Sequence, residues 1–110
     1  MSALAFLCLA AAVVDGDTLR CQNIEDANGR VRLARIDTPE RGEAGFKEAK
    51  RALENLIQGR EVRCELVDAN PWEPGFQERG KYGRPVARCW AGGDDLGEAQ
   101  LRNGFAKEWP

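Results

Sequence analysis

The stretch Arg32-Leu33-Ala34-Arg35-Ile36-Asp37-Thr38-Pro39-Glu40 decides how this chain is read. It carries a strand-like run into two acids, a hydroxyl and a proline within four residues. Val31, Leu33 and Arg35 alternate with Arg30, Arg32 and Ala34, which predicts a strand over 30–36 that Pro39 ends. Asp26-Ala27-Asn28-Gly29 lies just upstream, and Asn-Gly accepts positive φ, so a hairpin turn is expected there. The hairpin's other arm is a strand from Thr18 to Ile24. Asp15-Gly16 is an earlier turn, after an apolar strand over residues 5–14. Three consecutive antiparallel strands form a meander.

Beyond Pro39 the pattern changes period. Phe46, Ala49, Leu53, Leu56 and Ile57 recur at helical spacing, with Lys47, Lys50, Arg51 and Glu54 on the other side, so residues 45–58 read as a helix. Gly59 is its expected stop. Glu61 to Val67 and Pro85 to Trp90 read as two more strands, joined by a Pro-, Gly- and acid-rich loop from Asp68 to Gly83. Gly92-Gly93 breaks the last strand. Asp95 caps a second helix over Leu96, Ala99 and Leu101 to Gly104, with Glu98 at the capping-box position. Three strands, a helix, two strands and a helix predict an α+β chain built on a five-stranded OB-type barrel. Nothing divides or repeats, so residues 1–110 are expected to form one domain.

Composition removes several chemistries. The chain has no His, and Ser2 is its only Ser, so a Ser/His/acid triad, a Cys/His pair and His-ligated zinc are excluded. Hydrolysis must run on carboxylates, Arg, Lys, Tyr, Thr or a bound cation. No segment approaches the roughly 18 apolar residues of a membrane span. The formal net charge is -2, so any grip on a polyanion must be local, from clustered Arg or from acids whose sign is inverted by a bound ion.

Four Cys stand at positions 8, 21, 64 and 89, with no CxxC pair for structural zinc. Cys8 and Cys21 flank the first expected turn symmetrically, and Cys64 and Cys89 flank the 68–83 loop. The favoured pairing is Cys8–Cys21 with Cys64–Cys89, four buried thiols being the alternative. Disulfides would place the chain outside the cytoplasm, secreted or periplasmic. Ala3 to Ala12 has some leader-like character but no basic start, and it runs straight into Val13-Val14-Asp15, so it is read as a strand.

The acids and cations carry the chemistry. If the second and third strands pair, Asp17 and Asp37 lie at the same end of the sheet, where two carboxylates and a carbonyl suit a hard cation. Arg32 and Arg84 can bind phosphate oxygens bidentately, which Lys cannot reproduce. Glu40 is placed to orient or deprotonate a water. Tyr82, the only Tyr, can hydrogen-bond a terminal phosphate.

Val14-Asp15-Gly16-Asp17-Thr18, the Arg32–Glu40 stretch, Lys81-Tyr82-Gly83-Arg84 and the closing Glu98-Ala99-Gln100-Leu101-Arg102-Asn103-Gly104-Phe105-Ala106 together resemble the staphylococcal nuclease (thermonuclease) family. The resemblance covers nearly the whole chain, in order. It implies an OB-fold and a Ca²⁺-dependent endonuclease that cleaves DNA and RNA, leaving 3′-phosphates; the chain is expected to be a monomer acting preferably on single strands. It further implies that Asp17, Asp37 and the Thr38 carbonyl hold calcium and that Arg32 and Arg84 bind the scissile phosphate. Glu40 is then the general base, and Lys81 and Tyr82 contact a terminal phosphate.

Four features depart from the family pattern. Gly80 replaces an acid, the loop after Glu40 is short, and the loop from Asp68 to Gly80 is long and contains Trp72 and Phe76. The chain also stops at Trp109-Pro110, where the family continues into a third helix. The competing reading is a non-catalytic OB module binding single-stranded nucleic acid or an oligosaccharide. Such a binder has no need of Asp17, Asp37, Glu40, Arg32 and Arg84 together. An enzyme acting on another phosphodiester, or in polysaccharide export, is a third reading.

Overall fold

The computed structural model describes residues 4–9, 11–70, 72–77, 79–80 and 83–109, with the backbone alone at Asp26. The apolar N-terminal run forms two strands rather than one, β1 (Ala5–Leu7) and β2 (Ala12–Asp15). A side chain distant in sequence causes the break. The Asn23 side-chain amide donates to the Leu7 carbonyl at 2.8 Å and accepts from the Leu9 amide at 2.9 Å. One side chain thus satisfies the two backbone groups that a neighbouring strand would otherwise pair.

β3 (Thr18–Arg20) pairs antiparallel with β2 and with β4 (Arg30–Leu33). The turn before β4 is left-handed over Ala27, Asn28 and Gly29, at φ 51°, 58° and 80°. Only Ala27 is poorly suited to that region, at a cost of about 1 kcal/mol.

The expected strand over 30–36 is interrupted. Arg35 sits at φ 66°, and a short strand β5 (Ile36–Asp37) resumes after it. The reason lies in side-chain parity. Successive residues of a strand face opposite ways, so an unbroken run would bury Arg35 beside Leu33 and expose Ile36. The left-handed residue shifts the alternation by one: Ile36 is buried at 1% exposure, and Arg35 is exposed.

Helix α1 (Phe46–Ile57) buries Ala49, Leu53 and Ile57, spaced one turn apart, and Gly59 at φ 69° follows its end. β6 (Val62–Leu66) and β7 (Val86–Ala91) form the longest ladder. Gly92-Gly93 turns β7 into β8 (Asp94–Asp95), which pairs with Trp90 and Ala91. Asp95 caps α2 (Leu96–Arg102), its carboxylate accepting from the Glu98 amide at 3.1 Å. β9 (Lys107–Glu108) then pairs with β5.

The main sheet runs β1-β6-β7-β4-β3-β2, with the β4–β7 pair parallel and the rest antiparallel. This is an α+β fold with a mixed sheet and two helices. It departs from the expected five-stranded OB-type barrel: the described strands are shorter and more numerous, and no ladder among them joins β1 to β2 to close a barrel. The two ends of the path are nonetheless successive pieces of one chain segment, so the sheet curls from β1 round to β2.

The core beneath it is small. Leu19, Val31, Leu33, Ile36, Leu53, Val62 and Leu96 supply its bulk, and the cystines supply much of the rest. Cys8 pairs with Cys21, and Cys64 with Cys89, the pairing favoured from spacing. Cys64 and Cys89 are direct partners in the β6–β7 ladder, while Cys8–Cys21 ties the bend after β1 to the end of β3. Each bridge is expected to contribute about 3 kcal/mol by restricting the unfolded chain. Urea unfolding of the Cys64→Ala/Cys89→Ala double variant should therefore show a loss of about that size. No helix of the described residues is long and apolar enough to cross a membrane.

Candidate functional site: an acid–arginine cleft at the β4–β5 break

The site is built on the β2–β3 turn. The ladder shifts by a residue between Val13 and Asp15, which turns the Asp15 side chain toward the turn it starts. Asp15 Oδ1 accepts from the Asp17 amide at 3.1 Å. Gly16 lies against α1 so closely that a Cβ there would stand 2.7 Å from Ala49 Cβ and 2.8 Å from Thr38 Oγ1. No other residue allows that approach without moving the helix. Gln100 of α2 fastens the same point: its buried Nε2 donates to the Gly16 carbonyl at 2.8 Å and to the Ala49 carbonyl at 3.0 Å.

Asp17 is thereby fixed with its carboxylate nearly enclosed. Oδ1 accepts from Thr18 Oγ1 at 3.0 Å, and Oδ2 accepts from the Thr38 amide at 3.0 Å. Arg32 Nη1 lies 3.0 Å from the same Oδ2, and its Nη2 lies 3.6 Å from Asp37 Oδ1. One guanidinium thus bridges two carboxylates. The pair to Asp17 is the drier one, with side chains 15% and 8% exposed for Arg32 and Asp17, against 33% for Asp37. Arg84 Nη1 donates to Thr18 Oγ1 at 3.4 Å, which links the start of β7 to the same network.

These groups open onto a cleft of ≈ 890 Å³. Asp17, Arg32, Asp37, Thr38, Glu40 and Arg84, all read from the sequence as site residues, line it. Glu40 is exposed at its rim, in a turn where its amide donates to Glu43 Oε1 at 2.6 Å. Lys81 and Tyr82 lie outside the described residues. Three contributors were not picked out from the sequence. The sequence places Asp15 in a turn and Thr18 at a strand start, both within the quoted Val14–Thr18 motif, and assigns neither a role of its own. Gln100 was readable as a polar residue four positions after Leu96, on the buried stripe of α2.

The donors at this place fit a hard divalent cation. Asp17 and Asp37 already share one positive group, and the oxygen-only set suits Ca²⁺ or Mg²⁺. The Thr38 hydroxyl beside them is buried with no hydrogen-bond partner among the described residues. Among the described residues no three acids converge as a ready cage. The two carboxylates with the Thr38 carbonyl are thus the candidate ligands.

Asp15 titrates unusually. Burial, then a hydrogen bond to the Asp17 carboxylate and that group's charge, push its pKa from 3.8 up to about 6. An acid whose folded pKa is raised favours the fold while protonated. Its contribution is present below about pH 3.8 and is lost as pH rises through about 6. Asp15→Asn keeps the acceptor for the Asp17 amide and removes the charge. Urea midpoints taken between about pH 4 and about pH 7 should therefore fall less in the variant than in the parent chain.

Comparison with known proteins bears on this geometry. The family of staphylococcal nuclease homologues matches residues 30–109, from β4 to the end of β9. This chain belongs to that family. A Haemophilus influenzae protein described as an uncharacterized endonuclease is 38% identical over 56 residues. That match covers 51% of this chain but 32% of the relative, so the chain matches about a third of that protein's length. Of the residues lining the cleft, Arg32, Asp37, Thr38, Glu40 and Arg84 fall inside the family match; Asp15, Asp17 and Thr18 precede it.

Proposed function

We propose that this single domain is a calcium-dependent nuclease that hydrolyses phosphodiester bonds of DNA and RNA and leaves 3′-phosphate ends. The observation that carries the proposal is the convergence of Asp17 and Asp37 with Arg32 and Arg84 on one cleft, with Glu40 at its rim.

In this reading Asp17, Asp37 and the Thr38 carbonyl hold the cation. When bound, the ion polarises a phosphoryl oxygen and offsets the charge that gathers there. Arg84 and Arg32 grip the non-bridging oxygens through paired N–H groups. Glu40 takes a proton from water as the water oxygen bonds to phosphorus and the P–O5′ bond breaks. The electron pair of that bond leaves with O5′, which takes a proton from solvent, and the 3′-phosphate remains. Lys81 and Tyr82 are assigned to the terminal phosphate. The two disulfides support an extracytoplasmic, secreted or periplasmic setting. A monomer is expected.

The test is incubation with single-stranded DNA and with RNA, in Ca²⁺ and in EDTA, followed by analysis of the product ends. Cleavage only with Ca²⁺, giving 3′-phosphates, is the expected result. Binding that survives EDTA with no cleavage under any condition would instead identify a non-catalytic nucleic-acid-binding module.

A further inference from the structure

The loop between β6 and β7 carries two exposed aromatic side chains, Trp72 at 76% and Phe76 at 48% exposure. They differ in one respect: Trp72 lines the cleft that holds Arg32 and Arg84, and Phe76 does not. The loop is held in shape by its own polar groups. Asp68 Oδ1 accepts from the Asn70 amide at 3.0 Å and from the Gln77 amide at 3.1 Å, which draws the two sides of the loop together. Asn70 Oδ1 accepts from the Trp72 amide at 3.2 Å. At the base, the Val67 amide donates to the Val86 carbonyl at 2.9 Å, and the Gly80 amide to the Arg84 carbonyl at 2.8 Å. Trp72, in the described stretch 72–77, and Arg84, just before β7, thus line one cleft from the two sides of this loop.

We infer that Trp72 is a base-stacking subsite, which takes one unpaired nucleobase while the neighbouring phosphate lies on the Arg84 side of the cleft. Three considerations select this occupant. An indole 76% exposed, in the lining of a cleft that also holds Arg32 and Arg84, matches the alternation of flat base and phosphate in a single strand. A base inside a duplex is stacked and paired, so it cannot reach the indole; the subsite selects single strands or frayed ends. The chain's net charge of -2 leaves little general attraction for a polyanion, so affinity must come from local contacts, and a stacked base adds one that salt does not screen. The proposal rests on the nuclease reading for its choice of ligand, and its test needs no catalysis.

Binding of a fluorescein-labelled dT hexamer to the whole protein, measured by anisotropy in EDTA, provides that test. Trp72→Ala is expected to weaken binding about tenfold, as loss of one stacked base does, and Trp72→Phe to restore most of it. Phe76→Ala, on the same loop, is expected to bind as the parent does. An abasic hexamer should bind the parent about as weakly as the dT hexamer binds Trp72→Ala, and the variant should not weaken it further. The slope of log Kd against log salt should be the same for parent and variant, because no phosphate contact is removed. Equal affinity of the parent for abasic and normal hexamers overturns the subsite, as does an unchanged Kd in Trp72→Ala. Failure of the parent to bind any hexamer overturns it too. The stacking pattern without Ca²⁺-dependent cleavage sinks the nuclease reading and keeps the subsite; cleavage without the pattern does the reverse.

Discussion

Replacing Arg84 by lysine is expected to lower the rate of phosphodiester cleavage by about 10²–10³-fold, the usual cost of losing one group that stabilises developing charge. Charge is conserved in this change, so the loss isolates geometry. Guanidinium offers two parallel N–H donors to a phosphate, and ammonium offers a point charge on a flexible stem. Arg84 stands half-buried in the loop before β7, and lysine keeps its positive charge there. Its melting temperature should stay close to the parent's while kcat collapses. Glu40→Gln, on an exposed turn, should lose a similar factor in kcat and should also lose the acidic limb of the pH–rate profile. Rates within threefold of the parent for both variants would remove Arg84 and Glu40 from the mechanism.

Asp17→Ala is expected to be the most damaging change to the fold, at about 3 kcal/mol. The carboxylate accepts from Thr18 Oγ1, the Thr38 amide and Arg32, and it is almost fully enclosed. Its removal strands a half-dry guanidinium and a buried amide together, the situation in which breaking an ion pair costs most. For a chain of this size the melting temperature should fall by roughly 10–15 °C. Asp37→Ala makes the contrast. Its carboxylate is more open and lies 3.6 Å from Arg32, so it should cost under about 1 kcal/mol. Both variants should lose calcium affinity, read by calorimetry, although only one is unstable. Equal stability of the two would show that the Asp17 network contributes nothing to folding.

The residue types of the site were legible in the chain because their chemistry is specific. With no His and one terminal Ser, the candidate machinery had to be acids, Arg and a cation. The pairing of the cysteines was also legible, since their spacing about two turns sets which strands they face across. The helices showed in their periodicity, and Asp95 showed as a cap. Strand ends were less legible. The bend between β1 and β2 depends on Asn23, fourteen to sixteen residues away from the groups it satisfies. The short β9 is held by β5 and has no pattern of its own.

Side-chain parity draws the line between the local pattern and the assembled fold. Local composition determined that Arg32 and Asp37 belong to one strand-like stretch ending at Pro39. Five positions apart on an unbroken strand, they would face opposite sides of the sheet. They meet because Arg35 takes a left-handed backbone that turns Ile36 into the core and Asp37 out to the cleft. Burying Ile36 instead of a guanidinium is worth more than the strain of that one residue. Whether the exchange is favourable depends on a core assembled from distant strands, and no local window of the sequence contains it.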